Sequence, residues 1–181
     1  MGADMLTKVS IHHGDVFDVQ ADCLICSANV FLTLSGGVGG ELLRRYGDEA
    51  QQPLDAFLQQ QGIRYVSRGA VVETRPANVP YRMVIHAVAV DGMYDSTSGV
   101  ITQVVREALA RAVEAGCRSV VMPALATGYG HLSFEMFMAG WLEALPCGDF
   151  GLETVTLALR DEEHARTALA GIADRESDRH R

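Results

Sequence analysis

Two stretches of this 181-residue chain combine residue types that could hold an anion. The first ends in four glycines within five positions, Gly36, Gly37, Gly39 and Gly40. Such a loop lets backbone N–H groups approach a ligand without Cβ interference. It follows the apolar run Cys23-Leu24-Ile25-Cys26 and precedes a helix expected to begin near Val38. A helix amino end adds unpaired N–H groups and a partial positive charge, so this arrangement holds a phosphate without a lysine. The bland alternative is a turn joining strand to helix, and four clustered glycines before an amphipathic helix weigh for the phosphate. A Walker loop is excluded, because Gly40 is followed by Glu41 and not by Lys and Ser/Thr. The dinucleotide fingerprint fails too, since its third glycine is missing. The second stretch, Pro123 to Leu132, again follows an expected strand and precedes an expected helix. In an open α/β sheet both loops would face one crevice beyond the strands' carboxyl ends, where they could grip one diphosphate.

Other reactive side chains read differently. Asp15 stands after Gly14 and is either a turn or cap residue or a buried acceptor for an exocyclic amine. Cys23 and Cys26 form a CxxC, which invites a redox or metal reading. Residues three apart on a strand face opposite ways, however, and no second CxxC exists, so buried structural thiols are expected. His12 and His13 are strand neighbours whose rings diverge, and His86 reads as a core histidine satisfied by a backbone group. No metal site and no tightly held cofactor is expected.

Periodicity supplies the elements that must position these groups. Strands are expected at 8–11, 23–28, 70–74, 82–90, 119–122 and 154–160. Helices are expected at 38–47, 49–61, 100–115, 134–145 and 162–172, with Pro53 in a first turn and Ser133 as an N-cap. The alternation β, β, α, α, β, β, α, β, α, β, α argues for a three-layer α/β/α sandwich with a mixed central sheet. A single domain over residues 1–173 is expected, followed by a polar tail, 174–181, expected to be disordered.

Composition narrows the function classes. The net charge of −8 does not favour general binding to nucleic-acid phosphate or to an anionic membrane. No apolar run is long enough to span a bilayer, and residues 1–5 do not resemble a signal peptide, so a cytoplasmic protein is expected.

In combination these stretches resemble the macrodomain family of ADP-ribose-binding modules. Gly14-Asp15-Val16 matches the family's opening turn, and Cys26-Ser27-Ala28-Asn29 its Asn-Ala-Ala-Asn motif. Val38 and Gly47 fall at the family spacing from Asn29, Ile85-His86 matches its central strand, and Pro123 to Gly130 its second loop. The resemblance implies ADP-ribose or an ADP-ribosylated protein as partner. It implies Asp15 with the Val16 N–H at adenine and Asn29 at the distal ribose. Gly36, Gly37, Val38 and Gly39 would form the first diphosphate loop, and Ala126, Thr127, Gly128, Tyr129 and Gly130 the second. Where the family often stacks an aromatic ring on adenine, this chain has Arg160, whose guanidinium plane can also stack. The departures bear on catalysis. The acid of hydrolytic members is replaced by Gly39, their histidine by Leu43, and the first Asn by Cys26. Binding is therefore expected. The alternative is hydrolysis of ADP-ribosyl, O-acetyl-ADP-ribose or ADP-ribose 1″-phosphate bonds by substrate-assisted water activation, with Asn29 orienting the distal ribose and Tyr94, Asp95 or His131 assisting. A CxxC redox or metal protein is the third reading.

Overall fold

The computed structural model describes residues 7–145 and 151–178. Cys147, residues 1–6 and residues 179–181 lie outside that range. The elements are β1 (Lys8–His13), β2 (Cys23–Ala28), α1 (Gly37–Tyr46), α2 (Gln52–Gln61), β3 (Val71–Thr74), β4 (Met83–Val88), α3 (Ser98–Glu114), β5 (Ser119–Pro123), α4 (Phe134–Ala144), β6 (Thr154–Leu159) and α5 (Glu162–Asp178). Their order is the one the periodicity predicts. The six strands form one sheet, β1-β6-β5-β2-β4-β3, in which only the β3–β4 pair is antiparallel. The fold is an α/β sandwich around a mixed sheet.

Strand chemistry explains the layers. The central strand β4, Met-Val-Ile-His-Ala-Val, is buried at every position, as a strand covered on both faces must be. Cys23, Ile25, Ile85, Met122 and Leu157 pack on one face against α3, α4 and α5, where Phe137 and Trp141 are fully buried. Leu24, Cys26, Val84, Val88 and Val121 pack on the other face, against Leu42 of α1 and Leu54 of α2. Cys23 and Cys26 thus face opposite layers. Burial raises both thiols, Cys26 to about 12, and among the described residues no cluster of three His, Cys, Asp or Glu could hold a metal. On that geometry Cys23 and Cys26 do not converge on one side of the sheet.

Helix α5 departs from expectation. It continues to Asp178, through part of the stretch expected as a disordered tail. Arg175 explains the extension, because its guanidinium donates to the Leu145 carbonyl just past α4 and ties the last turns to the body.

His86 is fully buried, but its partner is a side chain and not a backbone group. Nε2 lies 3.0 Å from Thr74 Oγ1, while Nδ1 has no partner among the described residues. Burial pushes its pKa down to about 4. The folded protein therefore resists a proton that the unfolded chain accepts below about pH 6.5. Stability should fall as pH drops from there towards 4, by on the order of 3 kcal/mol from this residue. Urea midpoints at pH 7 and 4.5 in wild type and His86→Leu check this. An equal loss in both proteins removes His86 as the cause.

Candidate functional site

The parallel strands β5 and β2 pair over only two register positions, Cys23 with Val120 and Leu24 with Val121. Beyond that point β2 follows β4 and β5 follows β6, so their carboxyl ends part. The chain leaves β2 towards α1 on one layer and β5 towards α4 on the other. This is the switch point where open α/β sheets bind ligands. A cleft of about 640 Å³ opens there. It is lined by the loops after β2 and β5, by the turn after β1 and by the carboxyl end of β6.

The first wall is the loop from Asn29 to Gly36 and the start of α1. Asn29 shapes it: Oδ1 accepts from the N–H groups of Phe31 and Thr33 at 3.0 and 3.3 Å, and Nδ2 donates to the Thr33 carbonyl at 2.8 Å. Gln51, at the start of α2, grips the same loop. It accepts from the Leu34 N–H at 2.8 Å and donates to the Leu32 carbonyl at 3.0 Å. These bonds hold Leu32 at a φ of +53°, a conformation unusual for a residue with a Cβ. The N-cap of α1 is Gly36, with no side-chain cap, and Gly40 is the residue whose N–H reaches back to the Gly36 carbonyl, at 2.9 Å. By contrast Thr97 caps α3 and Ser133 caps α4. The amino end of α1 is left open, and it faces the cleft. Gly37 has a φ of +54°, which explains glycine there.

The second wall is the loop from Ala124 to Gly130. Ala126 is buried at φ +62°, and its N–H donates to Ser27 Oγ on β2 at 3.4 Å. Thr127 Oγ1 donates to the Ala124 carbonyl at 3.0 Å. The Tyr129 ring lies across Gly36, where an added Cβ would stand 2.6 Å from it. The two walls therefore meet through a glycine and an aromatic edge.

At the far end Asp15 caps a 3-10 turn, Val16–Asp18, with Oδ1 accepting from the Phe17 N–H at 3.0 Å. Its Oδ2 accepts from Arg160 at 2.7 Å, and Arg45 lies 3.5 Å away. Partial burial pushes this carboxyl up, but the Phe17 N–H and the two guanidiniums outweigh it and hold the group below the ordinary range. Asp161 and His164 also line this end. The His164 N–H donates to Asp161 Oδ1 at 2.8 Å, and its ring stacks on Phe134 at 3.9 Å.

The structure thus brings Val16, Asn29, Gly36, Gly37, Val38, Gly39, Ala126, Thr127, Gly128, Tyr129, Gly130 and Arg160 into one lining, with the Asp15 carboxylate on Arg160 just behind it. Gly39 is buried, Leu43 packs against the core, and Cys26 is a fully buried thiol, so none of these positions supplies an acid or base. Tyr94 lines the cleft, whereas Asp95 and His131 pair with each other at 2.9 Å beside it. The ionisable side chains of the lining are Tyr94, Tyr129, Arg160, Asp161 and His164. Sequence reading missed Ser27, Gln51, Asp161 and His164. Only Asp161 and His164 carried a readable signal, a capping residue three before its partner directly after the last strand.

The family model described as Macro domain matches residues 25–139. A Citrobacter koseri protein named O-acetyl-ADP-ribose deacetylase is 31% identical over 130 residues, covering 70% of this chain and 72% of that protein. An uncharacterized Mycobacterium tuberculosis protein is 30% identical over 125 residues, 69% of this chain and 33% of its own length. The chain thus spans about a third of the first curated relatives it matches. A mutant Oceanobacillus iheyensis macrodomain with ADPR superimposes with a TM-score of 0.83 at 20% identity, covering 94% of this chain and 95% of that one. A Trypanosoma brucei macrodomain in complex with ADP-ribose gives a TM-score of 0.72 at 20% identity, covering 91% and 68%. At such identities the likeness is one of fold. No helix among the described residues is long and apolar enough to cross a membrane.

Proposed function

The chain belongs to the macrodomain family, and from that premise we propose that it binds ADP-ribose, free or as a derivative, along the cleft between the β2 and β5 loops. The diphosphate lies between the open amino end of α1 and the Ala126–Gly130 loop. Adenine lies at the Asp15 and Arg160 end, and the distal ribose at the Asn29 end. The observation that carries this reading is the uncapped α1 terminus facing a second glycine-bearing loop with no lysine or arginine between them. Backbone N–H groups and a helix dipole suit a diphosphate in a protein of net charge −8, because they act locally. The ligands named for the Oceanobacillus and Trypanosoma neighbours agree with it. Calorimetry with ADP-ribose, and with AMP and NAD as controls, tests it. Micromolar binding of ADP-ribose with weak binding of both controls is expected, and absence of heat with ADP-ribose overturns it.

At the adenine end the Asp15 carboxylate accepts from the exocyclic amine. Arg160, now on Asp15, moves onto the face of the base. Asp15→Ala should weaken ADP-ribose binding by about 1–3 kcal/mol, as for a charged hydrogen-bond acceptor lost. It should leave affinity for the inosine analogue, which lacks the amine, nearly unchanged. Equal wild-type affinities for the two ligands would show that Asp15 does not read the amine.

Binding without rapid turnover is the favoured activity, since no acid or base stands in the diphosphate half of the cleft apart from tyrosines. Hydrolysis of O-acetyl-ADP-ribose or ADP-ribosyl bonds is the second reading, favoured by the deacetylase relative. Product release measured on the calorimetry samples separates the two.

A further inference from the structure

The mouth of the cleft is bounded by a closed ring of loops, and each carries an exposed apolar side chain. Phe31 stands on the Asn29 loop. The Val66 N–H donates to the Val30 carbonyl at 2.8 Å, which brings Tyr65 alongside, and the Phe31 and Tyr65 rings meet edge to face at 6.4 Å. The Tyr65 loop is tied onward by Arg68, which donates to Asp91 Oδ2 at 3.1 Å and to the Asp95 carbonyl at 3.3 Å. That next loop presents Met93 and Tyr94, with Tyr94 held at φ +63°. It is tied in turn to the second diphosphate loop, where the His131 N–H donates to the Tyr94 carbonyl at 3.0 Å. Tyr129 there closes the ring by lying across Gly36.

These five side chains are 42–74% exposed. Single exposed apolar residues are ordinary, but a connected set around one opening marks an interaction surface. Tyrosine, phenylalanine and methionine are the types enriched at protein interfaces, and aromatic rings on fixed loops lose little entropy on contact. Of the rim carboxylates, Asp91 pairs with Arg68 and Asp95 shares a hydrogen bond with the His131 ring. A net charge of −8 on the chain disfavours a polyanionic strand and suits a partner with cationic neighbours.

We propose that this aromatic rim is a docking surface for the polypeptide that carries the ADP-ribosyl group, and that it selects apolar residues with cationic neighbours beside the modified side chain. The proposal rests on the ADP-ribose reading of the cleft. The cleft takes the nucleotide, and the Phe31–Tyr65 pair takes the chain leaving the distal ribose.

The test compares wild type with Phe31→Ala/Tyr65→Ala, whose changed side chains lie outside the cleft lining. Four probes are titrated: free ADP-ribose, a serine-ADP-ribosylated peptide flanked by leucine and lysine, the same peptide flanked by glycine and aspartate, and an ADP-ribosylated oligonucleotide. The leucine-lysine peptide is expected to bind wild type at least about tenfold tighter than free ADP-ribose, an advantage of roughly 1.4 kcal/mol. The double variant should lose that advantage and keep its affinity for free ADP-ribose. Equal affinity for peptide and nucleotide, an advantage that survives the double substitution, or a larger advantage for the oligonucleotide each overturns the docking surface while leaving the cleft reading intact. Failure of wild type to bind free ADP-ribose overturns both.

Discussion

Gly37→Val should leave the protein folded and reduce ADP-ribose affinity at least about 100-fold, roughly 2.7 kcal/mol. Gly37 sits at φ +54°, where an L-residue costs roughly 1–2 kcal/mol and a β-branched one more. An ideal Cβ there meets nothing within 4 Å, so the packed core does not oppose the change and the strain is relieved locally. Relief means rotating the peptide planes that aim the first N–H groups of α1 into the cleft. The branched side chain would also enter the part of the cleft proposed to take the diphosphate. Each charge-assisted hydrogen bond to a phosphate contributes roughly 1.5–3 kcal/mol, so losing two is enough for the predicted effect. Calorimetry and thermal melting on one preparation check it. Retained affinity in a folded Gly37→Val protein would remove the diphosphate from this loop.

The second large effect concerns stability. Gly140→Ala should destabilise the fold by about 3 kcal/mol or more, against a helix-propensity gain of only about 1 kcal/mol. A Cβ at Gly140 would lie 2.3 Å from the Ser98 carbonyl oxygen and 2.9 Å from Ile101 Cβ. Both belong to α3, which α4 approaches backbone to backbone at this point. The same contact carries the bond from Thr102 Oγ1 to the Gly140 carbonyl at 3.1 Å, which separation of the helices would break. Backbone cannot move aside as a flexible side chain can. Gly99→Ala is the control, because its Cβ would meet only Thr97 Oγ1, at an ordinary 3.8 Å. For a domain of this size the Gly140 variant should melt about 6–12 °C lower, whereas Gly99→Ala should be neutral or slightly stabilised. Equal melting temperatures for the two variants would dissolve the close-approach argument.

The reach of sequence reading followed the range of the forces involved. Strand and helix order came through because hydrophobic periodicity is a local record of which face is buried, as in the uniformly apolar β4 and the stripe of α3. Gly37 has a local cause, because its positive φ leaves few other residue types possible. The separation of Cys23 from Cys26 onto opposite faces followed from the strand period alone.

What stayed hidden depends on residues far apart in the chain. The cleft opens because β2 and β5 part after two register pairs, and a register between strands nearly 100 residues apart has no local signature. The engagement of Asp15 by Arg160 spans 145 positions, and it turns an apparently free acceptor into one half of an ion pair. Gln51 stapling the Asn29 loop, and Arg175 carrying α5 into the expected tail, are of the same kind. Local chemistry therefore marked the two glycine-bearing loops and the strand order that sends both towards one crevice. Only the tertiary structure decided where β2 and β5 part, that the α1 terminus is left without a side-chain cap, and that aromatic side chains ring the mouth of the cleft. Each of those depends on how layers pack and strands register, and no short stretch of sequence encodes either.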